Sequence, residues 1–281
     1  MELDMKQLPY FDYLLASLNE SNDLEKSFGR HVHWGYWETP KLATLSVDDF
    51  AQAAENLSQL VFNAADVKDG QSVLDVGCGF GGTIASLNET HTGLRLVGLN
   101  IDERQLERAR QQVNAIENNT VEFQQGDACA LPFADNSFDV VLAVECIFHF
   151  PSREKFFNEA FRVLKPGGYL ALSDFVLSSL LPSRSLGKIN NGFFGDCNIG
   201  YTKEKYHALA KENNFSVCVD KDITKNTLPT YNYLRAMFIK KDQNKTRPAS
   251  PMTAVLSTLA IEVVSRLNLL NYYVFSFQKP G

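Results

Sequence analysis

The chain has 281 residues, a formal net charge of −6 and 44% hydrophobic residues, which is the composition of an ordinary globular protein. The negative charge disfavours nucleic acid as the main partner, because phosphate binding needs a basic surface. The five cysteines are widely spaced without a Cys-x-x-Cys pair, so neither a disulfide framework nor a zinc site is expected. The N-terminus lacks the pattern of a signal peptide, and no apolar run is long enough to span a membrane. We therefore expect a soluble cytoplasmic protein.

The first 62 residues contain two predicted helices. Five apolar residues have the spacing of one helix face: Leu8, Phe11, Leu14, Leu15 and Leu18. Ser46 is expected to cap a second helix that runs to about Phe62, with acidic residues in its first turn. The aromatic segment HVHWGYW, residues 31–37, lies between them and is predicted to be irregular.

From residue 72 onward, apolar runs alternate with helical segments. Five predicted strands cover residues 72–76, 94–99, 121–124, 138–144 and 169–173. This alternation predicts a parallel sheet covered by helices. Residues 215–220 and 272–277 are predicted to be two further strands. Two stretches, near 175–200 and 226–270, interrupt the pattern and are predicted to be cap insertions.

The stretch VLDVGCGFGG, residues 73–82, joins the first predicted strand to a helix through a glycine-rich turn. Such a turn places main-chain N–H groups at a helix N-terminus, where dinucleotide enzymes bind a pyrophosphate. Asp75 precedes the first glycine, however, and would repel a pyrophosphate. The second strand ends in Asn100, so no acidic residue stands there to bind the ribose of NAD. A ligand with an amino group and no phosphate, such as S-adenosylmethionine, fits this turn better.

Three motifs resemble those of the class I S-adenosylmethionine-dependent methyltransferases. VLDVGCGFGG resembles the family's first motif, QGDACALPFADNSFDVVLA (125–143) its central motifs, and RVLKPGGYLAL (162–172) its helix, turn and strand before the fifth strand. The resemblance implies an α/β fold, namely a Rossmann-like seven-stranded methyltransferase sheet with helices on both faces, and S-adenosylmethionine as cofactor. The chain is similar to the small-molecule subgroup, which includes natural-product O-methyltransferases and sarcosine and mycolate methyltransferases.

The same resemblance implies that individual residues hold the cofactor. These are Asp75 at the ammonium group, Gly77 and Gly79 at the methionine part, Asn100 and Gln105 near the ribose, and Asp127 with Ala128 at the adenine. Many family members carry Asp or Glu in place of Asn100, although an amide also hydrogen-bonds a hydroxyl. Each of these residues also has a purely structural interpretation, as part of a turn, a cap or the surface.

In this subgroup, a segment similar to residues 31–37 closes over the cofactor. The resemblance therefore implies an N-terminal helical lid, residues 1–60, on a methyltransferase core, residues 61–281. Trp34 and Tyr36 are expected to exclude water and to contact the sulfonium through cation–π interactions, although aromatic residues also pack in cores. Glu145 either lines the methionine end of the cofactor or caps the next helix.

Methyl transfer to a hydroxyl benefits from a general base, because the pKa of a hydroxyl lies far above 7. His149 follows the fourth strand, at the edge where open α/β sheets bind ligands. Asp174 ends the predicted fifth strand at the same edge, so we expect it to orient the His149 imidazole in a His–Asp dyad. The pattern E-x-x-x-H…D-F also resembles sugar and macrolide O-methyltransferases, in which these positions are the proposed base pair. The alternative is that both residues only pack or cap.

The insertions contain apolar and aromatic residues such as Phe175, Phe194, Tyr231 and Met237. They suit a bulky, largely apolar acceptor that carries a hydroxyl or an amine. The sequence therefore predicts an O-methyltransferase of natural-product type, with no bound metal and no nucleic-acid substrate. The alternatives are N- or C-methylation of a small molecule, or a non-catalytic subunit that binds the cofactor. The oligomeric state does not follow from the sequence.

Overall fold

The computed structural model describes residues 8–18, 21–180, 189–191, 194–240 and 251–281. The strands in these ranges are β1 (Ser72–Val76), β2 (Arg95–Asn100), β3 (Thr120–Gln125), β4 (Phe138–Val144), β5 (Leu164–Leu177), β6 (Ile189–Asn191), β7 (Gly195–Cys197), β8 (Ser216–Asp222) and β9 (Leu270–Gln278). Seven of them form one sheet in the order β3-β2-β1-β4-β5-β9-β8, and β6 pairs with β7. The predicted seven-stranded sheet is therefore confirmed.

The sheet is mixed. Strands β1 to β5 are parallel, whereas β9 runs antiparallel to both β5 and β8. Because the parallel strands end at one edge, the turns that follow them lie side by side there. β5 is longer than the predicted strand over residues 169–173, because residues 169–177 pair continuously with β9.

Helices cover both faces of the sheet, as predicted. The helices are α1 (Pro9–Ser17), α2 (Asn22–Phe28), α3 (Val47–Ala64), α4 (Gly82–Thr90), α5 (Glu103–Gln112), α6 (Arg153–Val163), α7 (Lys203–Glu212), α8 (Thr224–Thr227), α9 (Pro229–Lys240) and α10 (Pro251–Arg266). α3, α4 and α5 pack on one face, and α6 and α7 pack on the other. In α3, Phe50, Leu57 and Val61 point to the sheet and are fully buried, and Ser46 caps the helix as expected.

The N-terminal region forms two described helices where the sequence predicts one. Ser21 accepts a hydrogen bond from the main-chain N–H of Leu24 (3.3 Å), which starts α2 as a separate helix. The description of residues 1–60 as a lid stays a prediction. The cap insertions contain β6, β7, α8, α9 and α10, while residues 181–188, 192–193 and 241–250 lie outside the described residues. Within the described ranges, no helix is long and apolar enough to cross a membrane.

Candidate active site

Two cavities lie at the edge of the sheet where the parallel strands end. The long cavity, about 560 Å³, runs from Gly77 past Asn100 to Asp127. The apolar cavity, about 130 Å³, is lined mainly by aromatic and aliphatic side chains, including Trp34, Phe148, Phe175, Phe194, Leu234, Met237, Phe238, Ile261 and Leu270. Tyr10, Glu145 and His149 line both cavities, and we call these three residues the junction.

The glycine-rich turn after β1 forms one end of the long cavity. Gly77 has a φ of +78°, and a Cβ added there would lie 2.7 Å from Cβ and Sγ of Cys146. Its N–H donates to the main-chain oxygen of Leu99 on β2 (2.7 Å). Only glycine adopts this positive φ without strain and leaves room for the Cys146 side chain. The main chain therefore forms the cavity wall at this point, as the sequence predicts.

Asp75 lies in β1 directly beneath this turn and is almost fully buried. It lines a small cavity of about 40 Å³ together with Gly77, Gly79 and His33. Burial raises the pKa of Asp75 to about 7, because the charged form has lost its water. A buried acid beside a glycine turn is suited to a cationic ligand.

The middle of the long cavity is built where β2 ends. The side-chain amide of Asn100 donates to Oε1 of Gln105 (2.9 Å), and Oδ1 of Asn100 accepts from the N–H of Ile101 (2.8 Å). Asp102 also lines the cavity, caps α5 and forms an ion pair with Arg104 (2.7 Å). Asp102 is a wall residue that the motifs do not indicate, although an acid two residues beyond a strand end is a visible signal.

Asp127 and Ala128 line the long cavity beyond Asn100. The carboxylate of Asp127 accepts a hydrogen bond from the N–H of Cys129 (2.8 Å), which fixes the turn after β3. The structure therefore brings together all seven residues that were predicted to hold the methionine part, the ribose and the adenine, at the long cavity or the adjoining small cavity.

Glu145 directly follows β4 in a left-handed backbone conformation (φ +49°), which is strained for a residue other than glycine. Its N–H donates to the oxygen of Ser173 (3.2 Å). Its Oε2 accepts from the N–H of Trp34 (2.9 Å) and from the hydroxyl of Tyr272. Burial raises the pKa of Glu145 to about 8. The fold thus forces a carboxyl group into the junction and largely removes it from water.

His149 ends a short 3₁₀ turn after β4. Its Nδ1 lies 3.2 Å from the main-chain oxygen of Asp196, and its Nε2 lies 3.2 Å from the hydroxyl of Tyr10. A carbonyl oxygen only accepts hydrogen bonds, so this network assigns the proton of the neutral ring to Nδ1. Nε2 then carries the lone pair and accepts a hydrogen bond from the Tyr10 hydroxyl at the junction, and a ring nitrogen in this state can act as a general base.

Comparison with known proteins identifies the fold and the family. Residues 74–172 match the family model described as Methyltransferase domain. Methyltransferase GfsG of Streptomyces halstedii is 34% identical over 220 residues, which cover 75% of this chain and 76% of GfsG. This chain belongs to the class I S-adenosylmethionine-dependent methyltransferases. S-adenosylmethionine is its cofactor.

Other relatives of this methyltransferase differ in the atom that they methylate. O-methyltransferase resE of Aspergillus sclerotiorum is 31% identical over 205 residues, 72% of this chain and 75% of resE. Sterol 24-C-methyltransferase erg6 of Schizosaccharomyces pombe is 40% identical over 132 residues, only 46% of this chain and 34% of erg6. The structure of mycolic acid cyclopropane synthase CmaA1 shares the fold, with a TM-score of 0.77 over 97% of this chain and 99% of that chain at 18% identity.

The expected dyad of His149 and Asp174 is wrong. Asp174 is fully buried, and its Oδ2 bonds to Nη2 of Arg153 (2.6 Å) and to the hydroxyl of Tyr206. Its Oδ1 has no hydrogen-bond partner in the described part of the chain. The reason is the length of β5, which continues past Asp174 to Leu177. Asp174 is therefore inside the strand, and side-chain alternation turns it to the face that α6 and α7 cover.

The ion pair of Asp174 and Arg153 reaches His149 only indirectly. Nη2 of Arg153 also donates to the main-chain oxygen of Asn198 (2.8 Å), whose N–H donates to the oxygen of Phe148 (2.8 Å). The pair thus holds the segment that carries Asp196 against the turn that carries His149. The local sequence gave no signal for Arg153 or Asp196, because their partners are far away along the chain.

The two predicted aromatic contacts to the cofactor also need correction. Trp34 is buried in the wall of the apolar cavity, with its ring 5.6 Å from that of Phe175. Tyr36 is absent from the described walls of all three cavities. Its N–H donates to Ala53 of α3 (2.7 Å), and the ammonium group of Lys221 lies 5.6 Å from its ring centre. The chain turns away from the cavities at this point and runs beside α3.

A buried polar network behind the glycine turn was not predicted. His33 bonds through Nδ1 to the oxygen of Trp34 (2.9 Å) and through Nε2 to the hydroxyl of Ser58 (3.1 Å). Burial is the main cause that lowers the pKa of His33 to about 3. His31 joins the network through the hydroxyl of Ser58 (3.3 Å), and its other ring nitrogen bonds to Glu55 (2.8 Å). These bonds tie residues 31–34 to α3, which holds this segment where it lines the apolar cavity and the small cavity.

Proposed function

We propose that this methyltransferase transfers a methyl group from S-adenosylmethionine to a hydroxyl of a small, largely apolar molecule. The observation that carries this proposal is the position of His149. This residue lines both the long cavity and the apolar cavity, and its Nε2 lies beside the hydroxyl of Tyr10. Bound S-adenosylmethionine supplies a methyl group on a sulfonium, which needs an oriented nucleophile. The protein therefore has to hold the acceptor and remove its proton.

The long cavity is the proposed cofactor site. Its size falls within the range of small-molecule sites. Asp75 is placed to meet the ammonium group, and Gly77 and Gly79 allow the main chain to approach the methionine part. Asn100 and Gln105 offer amide groups for the ribose hydroxyls, and Asp127 with Ala128 offers an edge for the adenine. Glu145 lines both the long cavity and the apolar cavity, which suits contact with the sulfonium.

The apolar cavity is the proposed acceptor site. Its volume of about 130 Å³ is close to that of a dry cavity of about 150 Å³ that holds benzene. The acceptor group next to the reacting atom is therefore expected to be about one ring in size. Aromatic and aliphatic side chains surround it, and the polar groups lie mainly at the junction. This arrangement orients one polar atom of an apolar molecule towards His149.

His149 is the proposed general base. A hydroxyl must lose its proton as the new bond to carbon forms, and Nε2 of His149 is oriented for this by the bond from Nδ1 to Asp196. A neutral amine attacks through its free lone pair and needs a base less. The oriented base therefore supports a hydroxyl acceptor over an amine.

C-methylation is the second candidate. It is favoured by the match to a sterol 24-C-methyltransferase and by the carboxyl group of Glu145 beside the apolar cavity. A carboxylate there would stabilise a cationic carbon centre in an alkene acceptor. In that case Glu145, rather than His149, would be the group on which turnover depends most.

Product identification tests the proposal. The protein is incubated with S-adenosylmethionine that carries a ¹³C methyl group and with a panel of single-ring alcohols, phenols, amines and alkenes. NMR of the product then identifies the atom bonded to the labelled carbon. We expect an O-methyl signal with alcohols or phenols, lost in His149→Ala and retained in part in Glu145→Gln. A C-methyl product whose formation requires Glu145 but not His149 would overturn the proposal.

A further inference from the structure

Tyr10 is the third residue of the junction, and nothing in the sequence pattern drew attention to it. It lies in α1, lines both cavities and places its hydroxyl 3.2 Å from Nε2 of His149. The two rings are nearly parallel, with an angle of 22° and centres 6.0 Å apart. A phenol hydroxyl thus lies at the nitrogen where the acceptor proton is expected to arrive.

The direction of this hydrogen bond follows from the other side of the His149 ring. Because Nδ1 donates to the carbonyl of Asp196, Nε2 is the acceptor and the Tyr10 hydroxyl is the donor. The lone pairs of the Tyr10 oxygen stay available to a second donor. An acceptor hydroxyl cannot bond directly to Nε2 while Tyr10 is in place, but it can donate to the Tyr10 oxygen.

Contacts along α1 hold Tyr10 in this position. The carboxylate of Asp12 bonds to Nη1 of Arg104 (2.9 Å), and the ring of Phe11 packs edge-on against Phe80 (5.9 Å between centres). Asp12, Phe11 and Arg104 all line the long cavity. The same wall that borders the cofactor site therefore anchors the helix that carries Tyr10.

We propose that Tyr10 is a catalytic residue that relays the acceptor proton to His149, an inference that rests on the proposed O-methylation. The acceptor O–H bond breaks as an O–H bond to Tyr10 forms, and the original Tyr10 proton moves to Nε2 of His149. The acceptor electron pair forms the new O–CH₃ bond, and the electron pair of the broken C–S bond stays with sulfur. Tyr10 regains its neutral form, and His149 becomes the imidazolium. Burial raises the pKa of the Tyr10 phenol well above its ordinary value, so the two protons must move together without a free phenolate.

The test compares Tyr10→Phe with Tyr233→Phe. Tyr233 is a matched control, because its hydroxyl bonds to a side chain, Ser27, away from the cavities. Methyl transfer is measured in a single turnover with acceptor and cofactor already bound. We expect the rate to fall about 10²-fold in Tyr10→Phe and less than twofold in the control, with dissociation constants changed less than threefold. The rate of the unaltered protein is also measured in mixtures of light and heavy water. Plotted against the heavy-water fraction, it should follow a curved line, which indicates that two protons move in the same step.

A measurement without turnover accompanies the kinetics. The ¹⁵N NMR signals of the His149 ring should shift at Nε2 in Tyr10→Phe and stay in place at Nδ1, since only one hydrogen bond is lost. Full activity in Tyr10→Phe together with an inactive His149→Ala would overturn the relay alone. Full activity in His149→Ala would instead overturn the proposed base, and the relay with it. A linear dependence on the heavy-water fraction would also contradict the relay, because it indicates a single moving proton.

Discussion

The long cavity and the apolar cavity differ in how the chain builds them. The predicted walls of the long cavity come from the ends of β1, β2 and β3 and from the residues that follow shortly after them, so each contribution is a short local motif. The apolar cavity instead combines residues from α1, the segment around Trp34, β5, α9 and α10. A cofactor site made of local turns can be recognised from sequence, whereas an acceptor site made by distant segments depends on their packing.

The largest effect on stability is expected at Asp174, which pairs with Arg153 and not with His149. Asp174→Asn leaves the buried guanidinium of Arg153 without its partner, so the free energy of unfolding should fall by about 3–5 kcal/mol. Urea denaturation measures this. Asp48→Asn, which removes an exposed ion pair with Lys26, should cost well under about 1 kcal/mol. Equal stability of the two variants would mean that the ion pair does not hold the segment around Asn198.

Gly77→Ala should damage the long cavity selectively. The added Cβ would collide with Cys146, and alanine is strained at the left-handed φ of this position, so affinity for S-adenosylmethionine should fall about 10²-fold, or about 3 kcal/mol. Calorimetric titration measures the loss. Gly70→Ala is the control, because Gly70 also has a positive φ (+78°) but has open space around it. Equal losses in both variants would show that backbone strain alone, and not the cavity wall, determines the affinity.

The complementary variant alters the apolar cavity and leaves the long cavity unchanged. Met237→Trp should raise the KM for the acceptor about tenfold by occupying space in the cavity, while the dissociation constant of S-adenosylhomocysteine should stay within a factor of two. Steady-state kinetics and calorimetry provide the two values. A change in cofactor affinity of similar size would show that the two cavities do not act as separate sites.

Glu145→Gln should alter the pH dependence of stability. The native pKa of about 8 lies above the value in an unfolded chain, so the native state binds more protons between about pH 4.5 and pH 8. The unaltered protein therefore loses stability as pH rises through this window, and Asp75 contributes with the same sign. In Glu145→Gln, the fall in Tm from pH 5 to pH 8.5 should be smaller by roughly 7 °C. Identical slopes for both proteins would contradict the burial of an ionisable Glu145.

The smallest effect is expected for Tyr36→Phe. Because Tyr36 lies beside α3 and Lys221, away from the described cavity walls, both cofactor affinity and turnover should change less than twofold. Trp34→Ala is the contrasting variant. Because Trp34 lines the apolar cavity, its removal should raise the acceptor KM far more than the dissociation constant of the cofactor. A large loss of cofactor affinity in Tyr36→Phe would restore the contact that the sequence predicted and the structure does not show.

The same division separates the features that can be predicted from the sequence from those that cannot. The strands, the glycine turn and the positions of Asn100 and Asp127 were predictable, because strand ends and turns have short signatures. Asp174 was misplaced, because the sequence showed where its strand was apolar but not that pairing with β9 extends it to Leu177. Tyr10 and Asp196 could not be assigned, because their role depends on α1 and β7 meeting at His149.

In the proposed reaction, His149 accepts a proton beside the residues that line both cavities. The most direct measurement is the single-turnover rate of His149→Ala on an alcohol or phenol acceptor, with and without added imidazole. We expect a loss of about 10²–10⁴-fold, unchanged affinity for S-adenosylhomocysteine, and partial recovery of the rate with imidazole that occupies the vacated space. A rate equal to that of the unaltered protein would contradict the proposed role of His149.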